Sequence, residues 1–215
     1  MYKKKSFFIV FEGIEGCGKS YQSKKLYNNI RKKGLSAVLT REPGGTQSAE
    51  KIRKLILEDY FNKTSKEKFH KYTDTLLYLA ARNEHVQNKI KKSISKKKII
   101  ICDRFIDSTL AYQVYGKGIN KKFVDLIHKQ ILRKIKPNIT FLLKVNINKS
   151  LERLKKRKKK NRYDKFSKNF YIKAQKSFVK IAKRNKNSHI ILESSSDNQK
   201  LEKEILNIVL KKIRK

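Results

Sequence analysis

Five short apolar runs, rich in β-branched residues, alternate along the chain with longer segments of helical pattern. The runs span residues 7–12, 36–40, 98–102, 139–145 and 188–193. Continuous apolar runs of this length are typical of strands that helices cover on both faces. Strands that alternate with helices predict a parallel sheet. We therefore expect a doubly wound α/β fold with five parallel strands, and a functional site at their carboxyl ends.

The segments between the runs are long enough for helices. The predicted helices cover residues 19–33, 48–59, 73–96, 120–134 and 149–160. A last segment, residues 197–214, has Leu201, Ile205 and Val209 at helical spacing, which predicts a helix docked on the core. The 215 residues contain no internal repeat and no Gly/Pro-rich linker. A single domain over residues 1–215 is therefore expected.

A glycine-rich motif joins the first apolar run to the first predicted helix. Its residues are Gly13, Ile14, Glu15, Gly16, Cys17, Gly18, Lys19 and Ser20, a match to G-x-x-x-x-G-K-[ST]. The glycines let backbone N–H groups turn toward phosphate oxygens, and the helix N-terminus adds positive potential. The Lys19 ammonium is expected to reach the β- and γ-phosphates, and the Ser20 hydroxyl to ligate Mg²⁺. The motif predicts a P-loop NTPase-type fold that binds ATP through its phosphates.

The third apolar run leads directly into an acidic residue and a basic one, Asp103 and Arg104. P-loop enzymes place a carboxylate at such a strand end, beside the magnesium shell, so Asp103 is the second predicted Mg²⁺ ligand. A guanidinium at the same edge can hold a phosphate through two parallel hydrogen bonds. Alone the pair is a weak signal, because many strands end at an acidic residue. The P-loop favours the functional interpretation.

Four segments resemble the thymidylate kinase family, in the order that the family has them. They are residues 11–20, 40–46 (T-R-E-P-G-G-T), 76–82 (L-L-Y-L-A-A-R) and 103–113 (D-R-F-I-D-S-T-L-A-Y-Q). The last segment is far more selective than a P-loop. The resemblance implies transfer of the γ-phosphate of ATP to dTMP, giving dTDP and ADP in the synthesis of dTTP. It also implies a Mg²⁺ cofactor and a homodimer, to which the apolar segment 76–81 could contribute.

The resemblance further implies a site for the base and sugar of dTMP. Tyr78 stands where the family stacks a Phe on thymine. Arg82, four residues on, lies on the same helical face and would hydrogen-bond the base. Thr109 would contribute nearby, and Tyr112 would pack under the deoxyribose. Without the resemblance, Tyr78 and Tyr112 would be interpreted as core packing and Arg82 as a solvated charge.

The same resemblance assigns the phosphate end of the acceptor. Glu15 would accept a hydrogen bond from the 3′-hydroxyl, although a solvent-facing loop side chain is the simpler interpretation of its position. Arg41 and Arg104 would hold the acceptor phosphate, which suits bidentate guanidinium pairing. Pro43 is expected to shape this loop. Since phosphoryl transfer depends on charge neutralisation, Lys19 and Arg104 are predicted to be catalytic.

A strongly basic segment is the predicted lid, at about residues 153–165. Eight of the ten residues 153–162 are basic, and most such runs are solvated faces. Transfer nevertheless needs cations around the migrating phosphoryl group. The P-loop contains no Arg, and family members of that kind supply the catalytic Arg from the lid, the bacterial pattern. We predict Arg157 in this role, with Arg153 as the alternative.

The charge of the chain leaves other functions open. Lys and Arg number 56 against 18 Asp and Glu, a formal net charge of +38. A polyanionic partner is one interpretation. Drift of exposed positions toward Lys in an AT-rich genome is favoured, because Lys is spread over the whole chain; nucleic acid would then bind only non-specifically. The alternatives are another nucleoside or nucleotide kinase and, more distantly, a nucleic-acid-binding P-loop protein.

Two further features bound the class of protein. Cys17 and Cys102 are the only cysteines, which allows neither a disulfide framework nor a zinc site. The five-residue apolar run near the N-terminus is too short for a signal peptide or a membrane span. A cytoplasmic enzyme that no membrane anchors is therefore expected.

Overall fold

The strands form one parallel sheet. The computed structural model describes residues 5–57, 68–157, 163, 166–194 and 198–214. Its strands are β1 Phe7–Glu12, β2 Ala37–Arg41, β3 Ile99–Asp103, β4 Ile139–Lys144 and β5 His189–Glu193. Their order in the sheet is β2-β3-β1-β4-β5. The predicted five-stranded doubly wound sheet is confirmed, and each strand end lies within about one residue of its prediction.

Helices connect the strands. Within the described residues they are α1 Lys19–Lys32, α2 Gln47–Leu57, α3 Lys71–His85, α4 Lys91–Ser95, α5 Ile106–Thr109, α6 Tyr115–Lys117, α7 Lys121–Leu132, α8 Ile147–Lys155, α9 Lys168–Arg184 and α10 Asn198–Arg214. A π-helical turn, Val86–Ile90, joins α3 to α4, and a second, Leu110–Val114, joins α5 to α6. The helix predicted over residues 73–96 is therefore continuous apart from one widened turn.

Two helical segments were not among those predicted. Helix α5 and the π-helical turn that follows it carry the second half of the D-R-F-I-D-S-T-L-A-Y-Q segment, and α6 comes directly after it. Helices of four and three residues are too short to show a helical period in the sequence. Helix α9 buries Tyr171, Ala174, Phe178 and Ile181 along one face. Their spacing of three or four residues is a helical signal that could have identified α9 from the sequence.

The parallel register fixes which residues share the functional edge. Strand β1 lies between β3 and β4, with Phe11 opposite Asp103 and Glu12 opposite Leu142. Strand β2 adds Arg41 opposite Asp103. Because all five strands run the same way, the loops that follow β1, β2 and β3 meet at one edge of the sheet.

Apolar residues are buried on both faces of the sheet. On one face Ile9 and Phe11 pack with Phe141, and the rings of Phe11 and Phe141 lie 5.4 Å apart between centroids. On the other face Phe8 and Val10 pack with residues of β3 and with the segment that follows α3. The alternation along β1 explains why this strand reads as a continuous apolar run.

None of the described helices combines the length and the apolar character needed to cross a lipid bilayer.

We expect the Phe141→Ala substitution to lower the free energy of unfolding by about 3–5 kcal/mol, because it opens a cavity beside a central strand. Leu126→Ala is the matched control, since Leu126 is 60% exposed on α7 and should change stability by less than about 0.5 kcal/mol. Urea unfolding of both variants measures the difference. Equal losses would contradict the central position of Phe141.

Candidate active site

The P-loop is a tight turn between β1 and α1. Gly13, Gly16 and Gly18 have positive φ angles of 139°, 71° and 95°. A Cβ on Gly13 would stand 2.6 Å from the Leu143 carbonyl oxygen, and one on Gly16 would stand 2.8 Å from that of Ser150. Both positions therefore require glycine for space as well as for backbone conformation. Gly18 is the N-cap of α1, so the positive end of this helix faces the loop.

Side chains from outside the loop hold its carbonyl groups. Three of them donate to consecutive P-loop carbonyl oxygens at 2.6–3.0 Å: Ser150 to Glu15, Arg153 to Gly16 and Ser194 to Cys17. The Ile14 and Cys17 side chains are fully buried in the core. Only the backbone of these two residues is therefore available to a phosphate. The loop is held in shape from the protein side, which leaves its opposite face for a ligand.

Lys19 is folded back onto the P-loop. Its Nζ donates to the carbonyl oxygens of Gly13 at 3.0 Å and Ile14 at 2.7 Å, and the residue is 5% exposed. A buried ammonium needs such acceptors. The charge of Lys19 is thus held at the base of the loop, where phosphate oxygens would meet it.

Ser20 and Asp103 meet at the start of α1. The Ser20 hydroxyl donates to Asp103 Oδ2 at 2.5 Å. The pair fits the binding mode of Mg²⁺, which takes one or two protein oxygens and completes its shell with phosphates and water. The part of the chain that the structure describes has no cluster of three or more His, Cys, Asp or Glu ligands. A Mg²⁺ ion that is held mainly by phosphates and water does not need such a cluster.

One pocket at the carboxyl edge collects the predicted acceptor residues. Those that line it are Glu15, Lys19, Ser20, Arg41, Pro43, Tyr78, Arg82, Asp103, Arg104, Thr109, Tyr112 and Arg157. Arg153 does not line it and contacts the P-loop instead. Of the segment N-R-Y-D at residues 161–164, Tyr163 lines the pocket and the other three lie outside the described residues.

Glu15 links the P-loop to the acceptor side. It accepts from Arg104 Nη2 at 2.9 Å and from the Tyr112 hydroxyl at 2.6 Å. Burial raises the pKa of Glu15, but Arg104 and then Lys19 outweigh this effect, so the pKa lies below its ordinary value. The carboxylate is therefore ionised and acts only as an acceptor.

Arg104 occupies a strained backbone position. Its φ is +74°, which side chains rarely adopt, and its Nη1 donates to the Gly13 carbonyl oxygen at 2.9 Å. The guanidinium carbon lies 5.5 Å from the centre of the Tyr112 ring. The turn directs this guanidinium from β3 across to the P-loop.

Two more arginines lie at the rim of the pocket. Arg41 makes two hydrogen bonds to Glu50, at 3.0 and 3.2 Å, and remains exposed. Arg53 donates from Nη1 to the carbonyl oxygen of Pro43 at 2.6 Å; the Glu42–Pro43 peptide bond is cis. Burial, and then the neighbouring Arg41, lower the pKa of Arg53 below its ordinary value. Guanidinium groups that repel one another in this way favour an anion between them.

Comparison with known proteins decides the family. A model of the family described as thymidylate kinase matches residues 11–205. A thymidylate kinase of Wolbachia pipientis (strain wPip) is 39% identical over 209 residues, which cover 95% of this chain and 96% of the relative. The chain belongs to the thymidylate kinase family. Family members phosphorylate dTMP to dTDP with ATP as donor, in the synthesis of dTTP.

Other relatives of the thymidylate kinase family agree. A Sulfurihydrogenibium sp. (strain YO3AOP1) thymidylate kinase is 36% identical over 201 residues, covering 94% of this chain and 95% of the relative. A crystal structure of the Ehrlichia chaffeensis thymidylate kinase superposes with a TM-score of 0.76 at 32% identity. That match covers 95% of this chain and 99% of the other. Both the sequence and the fold are thus similar to thymidylate kinases over nearly the whole chain.

The pocket is also lined by residues that were not predicted as site residues: Glu42, Arg53, Leu57, Phe105, Ser108, Gln113 and Tyr163. Glu12, which was not predicted either, accepts a hydrogen bond from the backbone N–H of Ser108. The buried Gln113 amide nitrogen has no hydrogen-bond partner among the described residues, which is rare for a buried donor. Gln113 closes the segment D-R-F-I-D-S-T-L-A-Y-Q, so the motif itself contained the signal. Arg53 lies between two other basic residues of α2, Lys51 and Lys54, and nothing in the local sequence sets it apart.

Glu12 holds the turn that carries Arg104. It accepts from the Phe105 amide at 2.7 Å and from the Ser108 hydroxyl at 2.6 Å, and it is 1% exposed. Burial, and then the charge of Asp107, raise the pKa of Glu12 to about 7. A carboxyl group at the end of an apolar strand thus replaces water as the partner of these backbone and hydroxyl groups.

This shift predicts how stability depends on pH. The pKa of Glu12 is about 7 in the folded protein and 4.5 in an ordinary environment. Between these two pH values Glu12 is ionised in the unfolded chain but still protonated in the folded protein. The contribution of Glu12 to the free energy of unfolding is therefore complete below pH 4.5 and is lost as pH rises through about 7.

We expect wild type to lose on the order of 2–3 kcal/mol relative to Glu12→Gln as pH rises from 5 to 8, because Gln cannot ionise. Urea unfolding of both proteins across this range measures the difference. Both contain Asp107 and its hydrogen-bond partner His189, whose Nε2 lies 2.9 Å from Asp107 Oδ2, so this pair is the same on both sides of the comparison. Parallel pH profiles would show that Glu12 keeps an ordinary pKa.

Proposed function

We propose that the pocket at the carboxyl edge binds dTMP beside the phosphates of ATP, and that the chain transfers the γ-phosphoryl group to it, giving dTDP and ADP. The observation that carries the proposal is the convergence of Arg41, Arg53 and Arg104 on one pocket that also holds Lys19. A cluster of cations around one cavity suits two phosphorylated ligands whose phosphates must come together for transfer.

The three guanidinium groups are proposed to hold the acceptor phosphate. Arg104 is fixed by Gly13 and Glu15, and Arg41 by Glu50. Side chains that are already oriented lose little freedom when they bind, which favours precise placement of the phosphate. Arg53 joins the two predicted phosphate ligands because it lines the same pocket.

The aromatic part of the pocket is proposed to hold the nucleoside. Tyr78 would stack on the thymine, and Tyr112, which stacks on Phe170 with 5.8 Å between ring centres, would form the floor under the deoxyribose. Glu15 would accept from the 3′-hydroxyl through lone pairs that Arg104 and Tyr112 leave available.

The base is proposed to contact Arg82 and Gln113. The unpartnered Gln113 amide supplies a donor inside the pocket. Thr109 accepts from Arg82 Nη1 at 2.8 Å. We therefore assign Thr109 to the orientation of Arg82, where the sequence suggested only a contribution near the base.

The donor side is proposed to use the P-loop. Backbone groups of residues 13–18 would bind the ATP phosphates, with Lys19 beneath them. Ser20 and Asp103 would hold Mg²⁺, which when bound neutralises charge on the β- and γ-phosphate oxygens. Since an existing phosphate is the nucleophile, no strong general base is required, and the residues act by placing the two ligands in line.

The catalytic lid arginine is proposed to be Arg157. It lines the pocket together with Lys19 and Arg104. Arg153 donates to the Gly16 carbonyl oxygen at 3.0 Å and supports the P-loop instead. The lid over about residues 153–165, within a single domain of residues 1–215, remains part of this proposal. The homodimer is also part of this proposal. Leu76, in the apolar segment 76–81 of α3, supports it because its large apolar side chain is 47% exposed.

A panel of acceptors tests the function. With ATP and Mg²⁺, kcat/KM for dTMP should exceed those for dCMP, AMP and thymidine by about 100-fold or more, because the proposed site offers hydrogen-bond donors to the base and cations to a phosphate. The amino groups of cytosine and adenine would bring donor against donor, and thymidine has no phosphate. Lys19→Ala should remove activity, whereas Lys24→Ala, an exposed lysine of the same helix, should not. A higher kcat/KM for unphosphorylated thymidine than for dTMP would contradict the proposal. ATP turnover that responds to DNA or RNA and ignores mononucleotides would favour the nucleic-acid-binding alternative.

The lid assignment predicts different effects for the two arginines. Arg157→Ala should lower kcat by about 1,000-fold, as loss of a cation at the transferred phosphoryl group does. Arg153→Ala should mainly raise the KM for ATP, since it removes a P-loop contact. Lys155→Ala, at an exposed position between them, is the control. Wild-type turnover after alanine substitution at both arginines would show that the lid assignment is wrong.

A further inference from the structure

Arg82 is enclosed by hydrogen-bond acceptors from four parts of the chain. Its Nε donates to Glu42 Oε2 at 2.7 Å, and Nη2 donates to the Phe105 carbonyl oxygen at 2.7 Å. Nη1 lies 2.8 Å from Thr109 Oγ1 and 2.6 Å from His128 Nε2. The residue is 3% exposed, so these partners replace water almost completely.

The count of donors leaves one hydrogen for a ligand. An arginine has five N–H groups and no acceptor. Among the described residues, Glu42, Phe105, Thr109 and His128 take four of them. The fifth is on Nη2, and Arg82 lines the acceptor pocket. Arg82 thus presents a single donor to whatever base binds there.

His128 can make this contact in only one protonation state. Because Arg82 can only donate, His128 Nε2 must be the acceptor, and its proton lies on Nδ1. Burial, and then the charges of Arg82 and Lys121, lower the pKa of His128 to about 3. His128 therefore remains a neutral acceptor throughout the pH range in which the enzyme is assayed.

The opposite side of the guanidinium is fixed in the same manner. Glu42 Oε1 lies 2.8 Å from His85 Nδ1, and His85 Nε2 lies 2.7 Å from the Thr40 hydroxyl. Since the carboxylate accepts, His85 donates to Glu42 from Nδ1, while its Nε2 shares a hydrogen bond with the Thr40 hydroxyl. Glu42 is thus held in place before it holds Arg82, and His128 closes the remaining side.

We propose that His128 is a positioning residue for base recognition: it takes one Nη1 hydrogen of Arg82 and so leaves a single, fixed donor for the acceptor base. The inference rests on the proposed dTMP site. A single donor fits a base with a carbonyl oxygen at the recognised position, such as thymine. A 4-amino group, as in cytosine, would bring donor against donor. Without His128, one Nη1 hydrogen would lose its acceptor and become a second donor, and the guanidinium would be held by three partners instead of four.

Three substitutions separate this role from simple packing. The His128→Gln side chain can present its oxygen where Nε2 lies, whereas His128→Asn is too short to reach Arg82. His128→Phe fills the space without an acceptor. Asp125→Asn, at an exposed position on α7, is the matched control. Steady-state kinetics with dTMP and with dCMP, at saturating ATP, give the KM, the kcat and the preference between the two bases.

We expect His128→Asn and His128→Phe to raise the KM for dTMP about 10-fold and to reduce the dTMP-over-dCMP preference by a similar factor, as loss of a buried hydrogen-bond partner does. The kcat for dTMP and the KM for ATP should change less than about 3-fold, and His128→Gln should restore wild-type values. Should Phe prevent folding, the Gln and Asn pair still decides, because both are small polar residues. Equal behaviour of Gln and Asn would overturn the inference. Failure of wild type to use dTMP would instead overturn the proposed function.

Discussion

The structure depends on the parallel register of β1 with its neighbours. Phe11 lies opposite Asp103, and Arg41 lies opposite Asp103 on the other side of β3. This register brings the P-loop, the Asp103 carboxylate and the loop after β2 to one edge of the sheet. It is secured by apolar residues on both faces, since a slip of one residue would turn each of them to the wrong face. The site therefore inherits its geometry from the core.

Paired carboxylates make it possible to gather arginines at that edge. Arg104 pairs with Glu15 at 2.9 Å, Arg82 with Glu42 at 2.7 Å and Arg41 with Glu50 at 3.0 Å. Buried guanidinium groups without partners would cost several kcal/mol each. In a chain with a net charge of +38, some of its few acidic residues are placed where the cations must be dense. The carboxylates both neutralise the guanidinium groups and orient them, so that the donors proposed to bind phosphate are already in position.

The sequence predicted the fold and most of the pocket because the relevant signals are local. Apolar runs, the spacing of the P-loop glycines and the segments T-R-E-P-G-G-T and D-R-F-I-D-S-T-L-A-Y-Q can all be read along the chain. The pocket lining includes each residue assigned to dTMP. Helix α9 was missed although its periodicity was present. Arg53, by contrast, has no local signal, because nothing in the sequence of α2 distinguishes this pocket-lining arginine from the exposed Lys51 and Lys54 of the same helix.

The sequence by itself determined the fold and the order of its parts along the chain: a glycine-rich turn after the first strand, the loop that contains Arg41 and Pro43 after the second, and the Asp103-Arg104 pair at the end of the third, all on a parallel sheet. Only the tertiary structure decided how these groups are partnered. Glu12 has a raised pKa because folding buries it beside Asp107, and His128 is an acceptor because α7 brings it against Arg82. The two residues of the His128 contact are 46 positions apart. Hydrogen bonds and desolvation act through space, so their consequences for protonation and specificity appear only when distant segments have packed together.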